Sequence, residues 1–244
     1  MQLRSAESTL LAASTPAETR IYAVGDIHGR ADLLRETLER LDEDLWRRPI
    51  EYAFEVFLGD YIDRGPASKD VIDLLAARMV QNHSICLRGN HEELMETFLQ
   101  TPRALASWLR LGGLETLISY GVVSRADGAV SITDIHQRFC RAFPRAHQIF
   151  MQCLKPWICC GDYLFVHAGI RPEVPLDQQT MSDLLWIREE FLNFSPQHAK
   201  YIVHGHTPVA HPDVRSNRIN IDTGAWRSGT LTCAIFEGTS IQFL

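Results

Sequence analysis

The chain lacks any apolar run approaching the roughly 20 residues that a membrane span requires, so no membrane partner is expected of its 244 residues. It lacks a signal-peptide core as well: the N-terminal apolar stretch Leu10–Ala13 is short and Pro16 follows closely. Residues 1–19 therefore read as a flexible extension ahead of a single domain over 20–244. Regularly spaced cysteine is missing. Cys86, Cys140, Cys153, Cys159, Cys160 and Cys233 form no CxxC pair, which excludes the common structural zinc sites and argues against a disulfide framework. They read as reduced, mostly buried thiols in a reducing, cytoplasmic compartment, with no role assigned to the adjacent Cys159 and Cys160. Excess positive charge is absent too. Lys and Arg number 24 against 30 Asp and Glu, a net charge of −6, which excludes a broad electrostatic grip on nucleic acid.

What is present is an ordinary globular composition, 45% apolar and 22% charged, in a chain long enough to bury a substantial core. The first strand-like run, Ile21–Val24, leads straight into Gly25-Asp26-Ile27-His28-Gly29, where the glycines mark a tight turn. From Arg30 to Arg48 a helical stripe of Leu33, Leu34, Leu38, Leu41 and Leu45 is closed by Pro49. The unit recurs: Phe54–Leu58 runs into Gly59-Asp60 before a helix over Ser68–Met79, and Ile85–Leu87 runs into Gly89-Asn90-His91. A helical insertion is expected over about 92–152, interrupted at Gly112-Gly113 by a hinge or a helix–helix turn. Strand-like segments return at Tyr163–Val166, Tyr201–Val203, Ile219–Ile221 and Leu231–Phe236.

Five short segments gather Asp, His and Asn beside glycine: Gly25–Gly29, Gly59–Gly65, Gly89–Glu92, His167–Gly169 and His204–Thr207. Four of them follow an apolar run directly. Strand ends in α/β sheets open onto the crevice where ligands bind, so such loops, far apart in sequence, point to one site. Carboxylate, imidazole and amide oxygen without thiolate suit Mn²⁺, Fe or Zn²⁺. Six candidate donors, Asp26, His28, Asp60, Asn90, His167 and His206, exceed what one open catalytic ion takes from protein, so two ions are expected, and a carboxylate such as Asp60 can bridge them.

In this order the segments resemble the signature blocks of the phosphoprotein phosphatase family of metallophosphoesterases, from about Ile21 to Ala225. Leu185–Arg188 and Asn220–Gly224 are similar to further blocks of its bacterial and phage branch of serine/threonine protein phosphatases. The resemblance implies an α/β four-layer calcineurin-like sandwich, two packed mixed sheets flanked by helices. It implies that Asp26 and His28 bind the first metal, that Asp60 bridges both ions, and that Asn90, His167 and His206 hold the second. Arg64 and Arg188 would grip phosphate oxygens, His91 would be the general acid, and Asp63 would orient it and favour its protonated form. A metal-bridging hydroxide would attack phosphorus in line, with no phosphoenzyme. The expected activity is dephosphorylation of phosphoserine or phosphothreonine, with phosphotyrosine open, in a phosphoprotein or phosphopeptide, by a Mn²⁺-dependent monomer. The alternative is a hydrolase of dinucleoside polyphosphates of the symmetrical diadenosine tetraphosphate type, because a related branch acts on them. One departure stands out: Pro208 occupies the position, two after His206, where many members of the wider superfamily carry a second histidine. The first metal would then have fewer protein ligands.

Of the remaining residues, His204 reads as a packed histidine continuing its strand, and Asp222, Thr223 and Gly224 as shapers of a turn. His83, His136, His147, His198 and His211 read as surface or packing residues.

Overall fold

The computed structural model describes residues 13–126 and 130–244. Among them the chain runs β1 (Thr19–Val24), α1 (Ala31–Arg47), β2 (Tyr52–Phe57), α2 (Ser68–Gln81), β3 (Ser84–Cys86), α3 (Asn90–Gln100), α4 (Leu105–Leu109), α5 (Gly113–Ser119), α6 (Ile132–Ala142) and α7 (Arg145–Cys153). It continues through β4 (Trp157–Cys160), β5 (Tyr163–Val166), α8 (Met181–Trp186), α9 (Glu189–Leu192), β6 (Tyr201–His204), β7 (Asp213–Val214), β8 (Arg218–Asn220), α10 (Ala225–Ser228), β9 (Cys233–Glu237) and β10 (Ser240–Phe243). One five-stranded sheet has the order β10-β9-β1-β2-β3, the other β4-β5-β6-β8-β7. β1, β2 and β3 pair in parallel, as do β5, β6 and β8. The outer strands β9, β10, β4 and β7 run antiparallel to their neighbours.

Alternation along β1 decides where each side chain goes, since successive residues of a strand point to opposite faces. Ile21 and Ala23 enter an apolar layer between the sheets with Val56, Leu58, Phe165, Val203 and Phe236. Tyr22 and Val24 turn the other way, under the helices, to meet Leu34, Leu38, Val71 and Leu75. On the far side of the second sheet Leu164, Val166 and Ile202 pack against Leu184, Ile187 and Phe191. Three apolar layers thus separate helix, sheet, sheet and helix, the four-layer sandwich that the resemblance implies. The helical insertion is present as α3–α7, and its Met95, Phe98, Trp108 and Phe139 share one apolar cluster with α1 and α2, so it extends the outer helical layer.

Two expectations need correction. The extension expected over 1–19 is docked in its described part: Tyr163 Oη donates to Ala13 O at 3.0 Å, Thr15 N–H donates to Gly238 O at 3.0 Å, and Thr19 already opens β1. Pairing of these backbone groups across the ends of both sheets is what ties the segment down; the rest of that expectation, residues 1–12, lies outside the described residues. The cysteines are not mostly buried either. Cys86 and Cys233 are buried and Cys160 is intermediate, but Cys140, Cys153 and Cys159 are exposed, Cys159 because it sits on the edge strand β4. Among the described residues no helix is long and apolar enough to cross a membrane.

Candidate metal centre

The parallel strands deliver the polar loops to one edge of the sandwich. Asp26 and His28 follow β1; Asp60, Asp63 and Arg64 follow β2; Asn90 and His91 open α3 after β3; His167 follows β5 and His206 follows β6. Seven non-glycine residues among those described have positive φ, and five of them are His28 (46°), Asp60 (53°), Asp63 (71°), Arg64 (66°) and His206 (67°). Left-handed backbone at such residues costs of order 1–3 kcal/mol each and persists only where surrounding bonds overdetermine it. Glycine lets the loops close up: a Cβ added at Gly59 (φ 104°) would lie 2.7 Å from Gly89 N and 2.9 Å from His167 Nδ1.

Asp60, His167 and His206 offer donor atoms all within 4.8 Å of one another, and so do His28, Asp60 and His91. Asp60 belongs to both sets, with Oδ1 3.5 Å from His167 Nε2 and Oδ2 3.5 Å from His28 Nε2. Asn90 Oδ1 lies 3.0 Å from His167 Nε2 and 3.0 Å from His206 Nδ1. The tautomers follow from the backbone. The Leu58 carbonyl can only accept, so the His167 Nδ1 at 2.9 Å carries the proton and Nε2 turns its lone pair toward Asn90 Oδ1. The Ile62 carbonyl, 2.8 Å from His28 Nδ1, likewise aims the His28 Nε2 lone pair inward. Acceptors facing acceptors repel unless a cation lies among them. Asp26 Oδ1 and His206 Nε2 are in addition buried without a hydrogen-bond partner among the described residues, a condition that a bound ion explains. Oxygen and imidazole donors of this kind fit divalent transition ions.

The electrostatics agree. Burial alone would raise Asp60, but His167, His91, His28 and His206 hold its carboxyl far below the usual carboxylate range. Burial, and then neighbouring His91, lower His28; burial lowers His167; burial and His167 push His206 down to about 2. Three neutral imidazoles and one carboxylate result, the protonation states that metal ligation needs. Asp26 stands outside both tight sets: its Oδ2 accepts the His206 N–H at 3.0 Å, and burial, then Asp222 and Asp60, push its carboxyl up.

Beside this cluster His91 Nδ1 donates to Asp63 Oδ2 at 2.7 Å, both side chains fully buried. Burial disfavours a charged His91 ring, yet Asp60 and Asp63 outweigh it and raise its pKa. Arg64 Nη1 donates to His28 Nε2 at 2.9 Å and Nη2 to His91 Nε2 at 3.0 Å, with the guanidinium 5.5 Å from the Trp226 ring centroid. Arg188 is exposed between α8 and α9, and its charge lowers His167 and His206.

Four residues beside the site received no chemical role from the sequence reading, Asp222 being read as a turn former near it. Trp108 Nε1–H and the Thr116 hydroxyl donate to Asp63 at 2.8 and 2.5 Å; both come from the insertion, and no local pattern marks them. Glu92 is fully buried and accepts the N–H groups of Asp60, Tyr61 and Gly89, each at 2.9 Å, while burial and Asp60 raise it to about 8. Its place three residues after the cap residue Gly89, whose N–H it accepts, is the Glu half of a capping box, a partial signal that could have found it. Asp222 does shape a turn, its Oδ1 accepting the Gly224 N–H at 2.8 Å, but its buried Oδ2 finds no hydrogen-bond donor among the described residues, and burial raises its carboxyl to about 6. His204 is packed as read, buried against Phe191 with Nε2 3.3 Å from Arg218 Nη1.

Known proteins give the site its context. The bis(5′-nucleosyl)-tetraphosphatase PrpE [asymmetrical] of Anoxybacillus flavithermus is 29% identical over 227 residues, covering 86% of this chain and 87% of that protein. Serine/threonine-protein phosphatase 1 of Salmonella typhimurium is 29% identical over 225 residues, covering 88% and 90%. Among solved structures, a provisionally assigned diadenosine tetraphosphatase superposes with a TM-score of 0.61 at 20% identity, over 94% of this chain and 95% of that one, a likeness of fold. The model of the calcineurin-like phosphoesterase family matches residues 19–227, from the first residue of β1 into α10, and every loop of the cluster lies inside that span. The chain belongs to this family and is a metallophosphoesterase, a hydrolase of phosphoesters.

Proposed function

We propose that the chain hydrolyses phosphate monoesters and that its substrates are phosphoserine and phosphothreonine in proteins. The observation that carries this reading is the buried Asp63–His91 pair at 2.7 Å with His91 Nε2 turned toward the cluster. A serine or threonine alkoxide is a poor leaving group and needs a proton as it departs, whereas a nucleoside phosphate leaves readily without one. In this reading Asp26, His28 and Asp60 hold one divalent ion and Asp60, Asn90, His167 and His206 the other, with Mn²⁺ favoured over Fe or Zn²⁺. The ions would lower charge on the phosphate oxygens and make water a better nucleophile at neutral pH. Arg64 and Arg188 grip the non-bridging oxygens. Phosphate draws Arg64 away from His91 Nε2, freeing that nitrogen to carry the proton it gives to the leaving oxygen, while Asp63 holds Nδ1–H and stabilises the charged ring.

A second reading, hydrolysis of dinucleoside polyphosphates of the asymmetrical rather than the expected symmetrical type, is favoured by the relatives named as asymmetrical tetraphosphatases and by the partly exposed Trp226 beside Arg64 and Arg227, which offers a nucleobase a flat apolar face. The test is phosphate release with Mn²⁺ from phosphoserine, phosphothreonine and phosphotyrosine peptides beside diadenosine tetraphosphate, with His91→Asn as control. Fast peptide turnover with negligible nucleotide cleavage supports the protein phosphatase; preferential nucleotide cleavage overturns it in favour of the second reading.

A further inference from the structure

We infer that Asp222 is a positioning carboxylate for the metal site of Asp26 and His28. The turn that Asp222 shapes explains one of its oxygens only. Oδ1 accepts the Gly224 N–H at 2.8 Å, whereas Oδ2 is buried without a hydrogen-bond partner among the described residues. Asp222 is 1% exposed and Asp26 2% exposed, and Asp26 carries a matching orphan: Oδ2 accepts the His206 N–H and Oδ1 is unpartnered. Both carboxylates pack against Gly205, where an added Cβ would collide with Asp26 Oδ1 and lie 3.6 Å from Asp222 Cβ. Two carboxyl groups buried side by side need a proton or a cation between them, and an ion held by Asp26 would serve both.

The chain path explains the position. Val209 N–H donates to Asp222 O at 2.9 Å and Asn220 Nδ2 donates to Thr207 O at 2.7 Å, so segment 207–209 runs alongside 220–222, and a Cβ on Gly224 would lie 3.6 Å from Pro208 Cβ. Proline offers no ligand atom. Asp26, Asp60 and Asp222 together set three negative charges against two divalent ions, leaving a small positive excess suited to an anionic phosphate. Asp222 stands outside the tight donor sets, so it acts by charge and by orienting what Asp26 holds.

The inference rests on the two-metal reading, and the experiment separates the two. The chelator-treated full chain is titrated with Mn²⁺ by calorimetry, with electron paramagnetic resonance counting bound ions. Wild type takes up two ions. Asp222→Asn, which keeps the Gly224 bond, weakens one of them about 10–100-fold, the usual effect of removing an outer partner of a metal site, and leaves the other unchanged. Asp26→Asn weakens the same ion, and the double variant loses less than the sum. Without metal Asp222→Asn melts at or above wild type, because a buried charge has gone. Two ions bound as tightly by Asp222→Asn as by wild type, equal weakening of both, or a lower metal-free melting temperature overturns the assignment. A wild type that binds fewer than two ions overturns the two-metal reading itself.

Discussion

At His91 burial works against a charged ring while Asp60 and Asp63 work for it, and the carboxylates prevail. In the proposed mechanism His91 is the proton donor and Asn90, His167 and His206 offer lone pairs to an ion, so that the two roles fall on the adjacent residues Asn90 and His91. His91→Asn is therefore expected to keep wild-type metal content by mass spectrometry while kcat on a phosphoserine peptide falls about 10²–10⁴-fold, the usual contribution of general acid catalysis. Loss of metal would refute that division. The ligand candidates were legible as residues because they lie in short segments that pair Asp, His or Asn with a glycine within two positions, most of them at the end of an apolar run. Asp222 was legible only as a turn former near the site, which it is; what sets it apart is its second oxygen, buried without a hydrogen-bond partner among the described residues.

The helical insertion contributes more than apolar surface. α4 brings Trp108 and α5 brings Thr116 to Asp63, and the Gly112 carbonyl between those helices accepts the Arg64 N–H at 3.2 Å. Gly112-Gly113 is thus a helix–helix turn packed on Arg64, and a hinge reading is set aside by that contact. Trp108→Phe removes one donor from Asp63 and keeps the ring in its apolar cluster. We expect kcat on phosphoserine peptide to fall roughly tenfold, the scale of one hydrogen bond to a charged group, with little change on p-nitrophenyl phosphate, whose leaving group needs no proton. An equal loss on both substrates would mean general damage instead. Another element-level tie joins α1 to β1. Although burial opposes it, the Tyr22 hydroxyl at 2.7 Å and Arg48 hold Asp44 below the usual carboxylate range. A depressed carboxylate contributes stability in full above its unfolded value of about 3.9 and loses it as pH falls through the folded one. Asp44→Asn should lower stability at neutral pH and flatten the acid limb of urea midpoints between about pH 5 and 2; an unchanged slope would contradict the assignment.

Across the whole molecule the two sheets meet through one apolar layer, and the loops of both converge at a single edge. In the proposed assignment the ion of Asp60, Asn90, His167 and His206 would draw its ligands from loops after β2 and β3 of one sheet and β5 and β6 of the other, so that metal binding and stability would be coupled. Mn²⁺ at about 100 times its Kd is expected to add about 2.7 kcal/mol per site by mass action, read as a rise in melting temperature that chelation reverses; a melting temperature indifferent to both would exclude ligands drawn from both sheets. By itself the sequence determined the local units, apolar run then Gly-Asp or Gly-Asn then helix, and with them the donor types, since period, punctuation and side-chain chemistry are properties of neighbours in the chain. It left the edge strands β4, β7 and β10 unread, because short strands that are exposed or paired on one side carry little pattern. Only the tertiary structure decided that Trp108 and Thr116 reach Asp63, that residues 13–18 dock across both sheets, and that Asp222 stands beside Asp26. Such contacts depend on strand order and on packing between layers, which join residues as far apart as the 223 positions between Thr15 and Gly238 and leave no trace in a local window.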